Sequence, residues 1–250
     1  MEVVLTDKEH VESGILSRFI DLFWGYGSFE APIWMVGMEE SCGEKDFPKR
    51  INAWHTRGER QLDDAAGYHQ AIGAPEHFEE RARVQRTWSK LIKTYLAAYG
   101  HRTNTSDTRR FQIMSLGRIE PVLVPTCFIE LMPLPSPSTG DWWVKDHTDL
   151  DYLQSRKAYM AEVADKRAQK LKALVAEHRP AAVLFYGSTL RKHWERVSGP
   201  LVRHPAHQKL FHSQTGGTQF LMMPHPVAHG VKNADYIKVG ELLRDRIGGQ

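Results

Sequence analysis

The chain has 250 residues, 41% of them hydrophobic, the size and composition of one soluble domain covering residues 1–250. A formal net charge of +3 permits contact with a phosphate backbone but falls short of the dense basic patch that would demand it. Two unpaired-looking cysteines, Cys42 and Cys127, an acidic start and no apolar run near the roughly 18 residues of a membrane span point to a cytoplasmic protein without a membrane partner.

In chain order, Thr6 is placed to cap a first helix on which Val11, Ile15, Phe19 and Phe23 recur at helical spacing. "APIWMVGMEES" reads as a buried strand feeding a polar loop, and residues 43–75 as an irregular stretch. A second helix spans "EHFEERARVQRTWSKLIKTYLAAYG" and stops at Gly100. "EPVLVPTCFIE" is a second strand, broken after Glu130 by prolines that cannot join a ladder. A long helix over 150–178 ends before Pro180, "AAVLFYGS" is a third strand, and a short helix covers 189–197. "TQFLMMPHP" is a fourth strand and "NADYIKVGELLRDRIGG" a closing helix. The alternation predicts an α/β three-layer sandwich: a central, mostly parallel, four-stranded sheet flanked by helices.

In such a sheet ligands bind beyond the carboxyl ends of the strands, here "GMEES", "FIELMPLPSP", "YGSTL" and "PHPVAHG". Glu39 and Glu40 leave the first exit, either as a general base in a desolvated loop or as ordinary solvated acids. Glu130 ends an apolar run, where a charge is costly without a partner or an open site, unless it simply reaches water. His225 and His229 stand four apart, but Pro226 breaks any helix between them and no third ligand is near. His204 and His207 have the same deficiency, so no metal and no other cofactor is expected. Trp142 and Trp143 are either base platforms or packing for a long loop. "YGSTL" lacks the elbow of a serine nucleophile.

Together the exits resemble the uracil-DNA glycosylase superfamily, whose branches carry GQDPYH, GEAPG or GMNPG after the first strand and an HPSP-like motif after the last. "GMEES" occupies the first position, "HPVAH" the last, and "CFIELMPL" resembles the intervening strand of the single-strand-selective monofunctional branch. The resemblance spans about residues 30–230 and rests on the order and spacing of short motifs.

It implies the following roles. Gly37 matches the motif glycine, and Glu39 the acid that positions the attacking water and faces the sugar cation. His225 matches the neutral histidine that donates to the base O2. Met38, Ser41 and Glu130 line the base site, with Ser41 where another branch carries a tyrosine that shields C5; Phe47 or Trp54 is available to stack on the base. His229 falls at the wedge position, and Lys232 and Asn233 are candidate phosphate contacts. An open C5 position and an acceptor-only carboxylate at Glu130 favour a 5-substituted cytosine.

The expectation is a monofunctional DNA glycosylase, with DNA as partner and no obligatory protein partner evident. It would leave an abasic site, and hypermodified phage DNA is a coherent target in antiphage defence. Two alternatives stand beside it: repair of uracil or an oxidised pyrimidine, and a non-catalytic DNA-binding module with the same fold.

Overall fold

The computed structural model describes residues 9–119, 124–136, 138 and 140–247. Thr6, the expected cap of the first helix, lies outside these residues. Eight strands form a single mixed sheet in the order β3-β1-β4-β2-β5-β8-β7-β6. Its centre is β4 (Cys127–Glu130), β2 (Ile33–Gly37), β5 (Ala182–Tyr186) and β8 (Thr218–Met223), mutually parallel. These are the four expected strands. All but the last residue of β4 and Gln219 of β8 are buried along them, which is why they read as continuous apolar runs.

The expectation of four strands is corrected at the edges. β1 (Gly25–Gly27) runs antiparallel to β4 and pairs with β3 (Leu62–Asp63), and β7 (Phe211–Thr215) forms a hairpin with β8 that β6 (Val202–Arg203) extends. Each edge strand is too short or too polar to carry a periodic apolar signal. The hairpin does carry a turn signal, Gly216-Gly217, with φ of 60° and 90° at the two positions of the tight turn.

Helices cover both faces. Phe128 of β4 meets Tyr95 of α4 (Arg86–Ala98), ring centroids 5.6 Å apart, and α4 packs along α8 (Asn233–Ile247). On the opposite face Phe185 of β5 stacks on Trp194 of α7 (Arg191–Ser198), which lies against α6 (Arg156–His178). Near the β1 edge, α1 (Ser13–Leu22) contacts α2 (Phe47–Thr56).

Several helix boundaries differ from expectation. The stretch 43–75 is not irregular: it holds α2 and α3 (Ala65–Ala71), the latter capped by the Asp64 side chain accepting from Gly67 N–H. The second helix starts ten residues later than expected, because the Gln85 side chain caps Trp88 N–H. α5 (Thr105–Met114) was not foreseen, although Asn104 caps it in the ordinary way. The long helix begins at Arg156, where Ser155 accepts from Ala158 N–H, and ends with Arg179 in the left-handed region before Pro180.

One buried cation fixes the β4 exit. Arg167 of α6 donates to the carbonyls of Leu131 (2.6 Å), Ile20 (2.8 Å), Phe23 (2.9 Å) and Glu130 (3.1 Å), with its guanidinium 3.7 Å from the centroid of the Trp24 ring. Burial pulls its pKa down to about 9, so it is still the cation at neutral pH. Arg167→Met strands these carbonyls away from water. Chemical denaturation should show a loss of at least ~3 kcal/mol.

Candidate active site

The exits of β2 and β4 stay paired beyond the strands. Leu131 N–H donates to Gly37 O (2.9 Å), Met132 N–H to Met38 O (2.7 Å) and Ser136 N–H to Glu40 O (3.0 Å). Leu134 N–H donates to Tyr159 of α6 (3.1 Å), and Leu131, Met132 and Leu134 are fully buried. Residues 131–136 are therefore a fixed wall beside the loop that carries Glu39 and Glu40.

Gly37 has an ordinary φ; its lack of a side chain matters for space. A Cβ there would overlap both Glu130 Oε2 and the Tyr186 ring. In that space the Tyr186 hydroxyl donates to Glu130 Oε1 at 2.5 Å, while Oε2 is buried with no hydrogen-bond partner among the described residues. Burial pushes the Glu130 carboxyl well above the usual carboxylate range; the Tyr186 bond opposes this, and the charges of Glu40 and Glu39 reinforce it.

The two loop glutamates are separately paired. Glu39 is almost fully buried and accepts from Arg156 at 2.8 Å; burial raises its pKa, against the hydrogen bond and charge of Arg156. Glu40 pairs with Arg50 of α2 and accepts from the Tyr26 hydroxyl at 3.2 Å. Glu40, not Glu39, shares a cavity wall with Glu130 and Tyr186.

His225 follows β8, its ring centroid 5.9 Å from that of Tyr186. Burial and then the nearby Lys90 ammonium lower its pKa, which favours a neutral ring at pH 7. Nδ1 accepts a long bond from Val227 N–H (3.4 Å), which leaves the ring hydrogen on Nε2. Pro224 and Pro226, either side of the histidine, accept at their carbonyls from Tyr236 (2.8 Å) and Lys90 (2.5 Å).

A cavity of about 20 Å³ lies beside Glu130, walled by Phe23, Tyr26, Trp88 and Phe128 together with Glu40, Glu130 and Tyr186. The expected stacking rings are elsewhere. Phe47 is fully buried against Trp143 and His147, and Trp54 against Phe19, so neither has a face open to a ligand. Trp142 packs on Tyr159 and donates to Leu153 O, pinning the loop. Met38 is half-buried against the core, and Ser41, His229, Lys232 and Asn233 are exposed.

A surface cleft of about 400 Å³ runs beside the His225 loop, lined by Val84, Arg86, Ser89, Lys90, Val227, Ala228 and Val231. Arg86 joins no ion pair among the described residues, and Arg81 and Arg83 line the adjoining cleft along with Glu76 and Glu79. No group of three or more His, Cys, Asp or Glu side chains among the described residues is placed to hold a metal ion. No helix among them is long and apolar enough to cross a membrane.

The chemistry available is an acid whose neutral form burial favours, a histidine whose neutral form burial favours, and a buried carboxylate steadied by an arginine, all at the same end of the parallel strands. No protein-family model matches the chain, and no curated protein matches it either.

Two outcomes test this geometry. Gly37→Ala should cost about 2 kcal/mol through overpacking and disrupt the Glu130–Tyr186 bond, seen by denaturation and by the tyrosine ultraviolet signal. Glu130 carries a raised folded-state pKa, so its contribution is full below its ordinary value of 4.5 and is lost as pH rises toward the folded value. Glu130→Gln should therefore gain stability relative to wild type with rising pH, by about 1.4 kcal/mol per pH unit within that window.

Proposed function

We propose that the chain is a monofunctional DNA glycosylase acting on a modified pyrimidine. The observation that carries the proposal is that the parallel strands β4, β2, β5 and β8 bring Glu130, Glu39, Tyr186 and His225 to one end of the sheet, with Glu130 and Tyr186 lining an aromatic-walled cavity and the His225 ring 5.9 Å from that of Tyr186. Cations flanking the His225 loop, Arg86, Lys90 and Lys232, suit a phosphate backbone.

In this mechanism water adds to C1′ of the flipped nucleotide as the bond from C1′ to the base nitrogen breaks. His225 Nε2–H donates to the base oxygen on which negative charge develops, and a neutral ring serves because it has a hydrogen to give without passing on its proton. Glu39 orients the water and faces the cationic sugar; the hydrogen bond and charge of Arg156 favour its ionised form against burial. The sugar gains the hydroxyl, and the base leaves as an anion that takes up the proton lost by water. The exposure of Ser41 at the loop fits tolerance of a C5 substituent, as in 5-substituted cytosines of hypermodified phage DNA. Uracil or oxidised-pyrimidine repair shares every step.

The rival is a DNA-binding module without catalysis. It is favoured by the cavity volume of about 20 Å³, room for one water-sized group, so a base ring enters only if the walls part.

The deciding experiment is mass-spectrometric detection of free base from DNAs carrying uracil, 5-hydroxymethylcytosine or glucosylated hydroxymethylcytosine. Wild type should release base from at least one, with His225→Ala and Glu39→Gln each at least ~100-fold slower. Retained DNA binding with no release from any of the three supports the module instead. Release should also fall on acidification below the ordinary histidine value of 6.5, as His225 charges and Glu39 protonates, the first from a lowered and the second from a raised pKa.

A further inference from the structure

We infer that Glu130 works as a neutral carboxylic acid that donates a hydrogen bond from Oε2 to an acceptor atom of the ligand, a ring nitrogen or a keto oxygen of a pyrimidine. The identity of the ligand rests on the function proposed above; the donor role rests on the geometry of the carboxyl group.

The two oxygens of Glu130 are unequal. Oε1 receives the Tyr186 hydroxyl at 2.5 Å and is the carbonyl end; Oε2 is sealed from water, has no partner among the described residues, and belongs to a side chain lining the cavity. An ionised carboxylate would leave that oxygen bare in an apolar site, which is costly. The surrounding charges do not relieve it. The loop after β2 presents Glu39 and Glu40, β5 presents Tyr186, β1 presents Tyr26, and His225 follows β8. The two arginines paired with the neighbouring acids, Arg50 on Glu40 and Arg156 on Glu39, are already engaged, and Lys90 lies by His225. Arg167 reaches Glu130 only at its backbone carbonyl.

The acceptor-only carboxylate expected from sequence is thereby replaced. A neutral acid offers one donor and one acceptor, the pattern of an amide, and it pairs with a pyrimidine edge in either of two ways. With a cytosine, Oε2–H donates to N3 and the exocyclic amine reaches the remaining lone pair of Oε1. With a uracil-type base, Oε2–H donates to O4 and N3–H reaches Oε1. In both, the ligand supplies the acceptor that Oε2 lacks.

Infrared difference spectroscopy of the full chain against Glu130→Gln tests the donor directly. At pH 7 wild type should show a protonated-carboxyl C=O band that the variant lacks, and excess free cytosine or uracil base should shift it, the two arms showing which edge is taken. A missing band, or one that neither base moves, overturns the inference. If any DNA releases base, Glu130→Met should slow release at least ~100-fold and Glu130→Gln, whose amide keeps a donor, should be at least ~10-fold faster than Met. Equal failure of both variants overturns the donor role. A band that shifts with free base while no DNA is cleaved refutes the glycosylase reading alone; release without the band refutes the inference alone.

Discussion

A guanidinium buried without a carboxylate is the constraint on which the site depends. Arg167 is satisfied entirely by carbonyl oxygens, two from the end of α1 and two from the segment leaving β4. Carbonyls at the C-terminal end of a helix carry partial negative charge and lack intrahelical donors, so they suit a cation that water cannot reach. By joining α1, α6 and the β4 exit, Arg167 sets the backbone of Glu130 and Leu131. The ladder from Leu131 and Met132 to Gly37 and Met38 then passes that position to the neighbouring loop. Precision in the site comes from the backbone, and the side chains inherit it.

The charges above this frame are distributed unevenly. Three glutamates crowd the ends of β2 and β4, and only two arginines meet them, Arg156 on Glu39 and Arg50 on Glu40. Both cations come from outside the sheet, on α6 and α2. The third acid has a phenol instead. A phenol donates one hydrogen bond and no charge, so it orients Glu130 without supplying a counter-charge. Gly37 makes this possible, because any larger residue on β2 would fill the volume that the carboxyl and the ring occupy. The separation of roles among like groups follows from which element supplies each partner.

The central sheet was legible because β2, β4, β5 and β8 are buried on both faces and so announce themselves as unbroken apolar runs. Once they are taken as parallel, their exits follow, and with them Glu39, Glu130 and His225. What the sequence hid was the partner of each group. Arg156 lies 117 residues from Glu39, and nothing local distinguishes it from the solvated arginines around it. The same applies to Tyr186, which reads as the apolar end of a strand but is the donor that fixes Glu130. Phe47 and Trp54 were misplaced because 43–75 showed no periodicity strong enough to reveal α2, the helix that turns both rings inward. The aromatic walls come instead from Phe23, Tyr26, Trp88 and Phe128, on three separate stretches of chain that only the fold assembles.

The small volume of the cavity bears on how any ligand is selected. A preformed hole the size of a base would admit water and favour ionised Glu130, whereas a narrow aromatic site favours the neutral acid. Opening costs aromatic contacts, and a base that restores stacking while supplying an acceptor to Oε2 offsets that cost. A water molecule entering alone supplies the acceptor but no stacking. On the proposed function, entry would therefore be coupled to shape and hydrogen-bonding pattern at once: the groups that line the cavity are the ones a bound ring would touch. Selectivity in such a site resides in the unpartnered oxygen as much as in the contacts already made, since a ligand without a matching acceptor would leave it as costly as before.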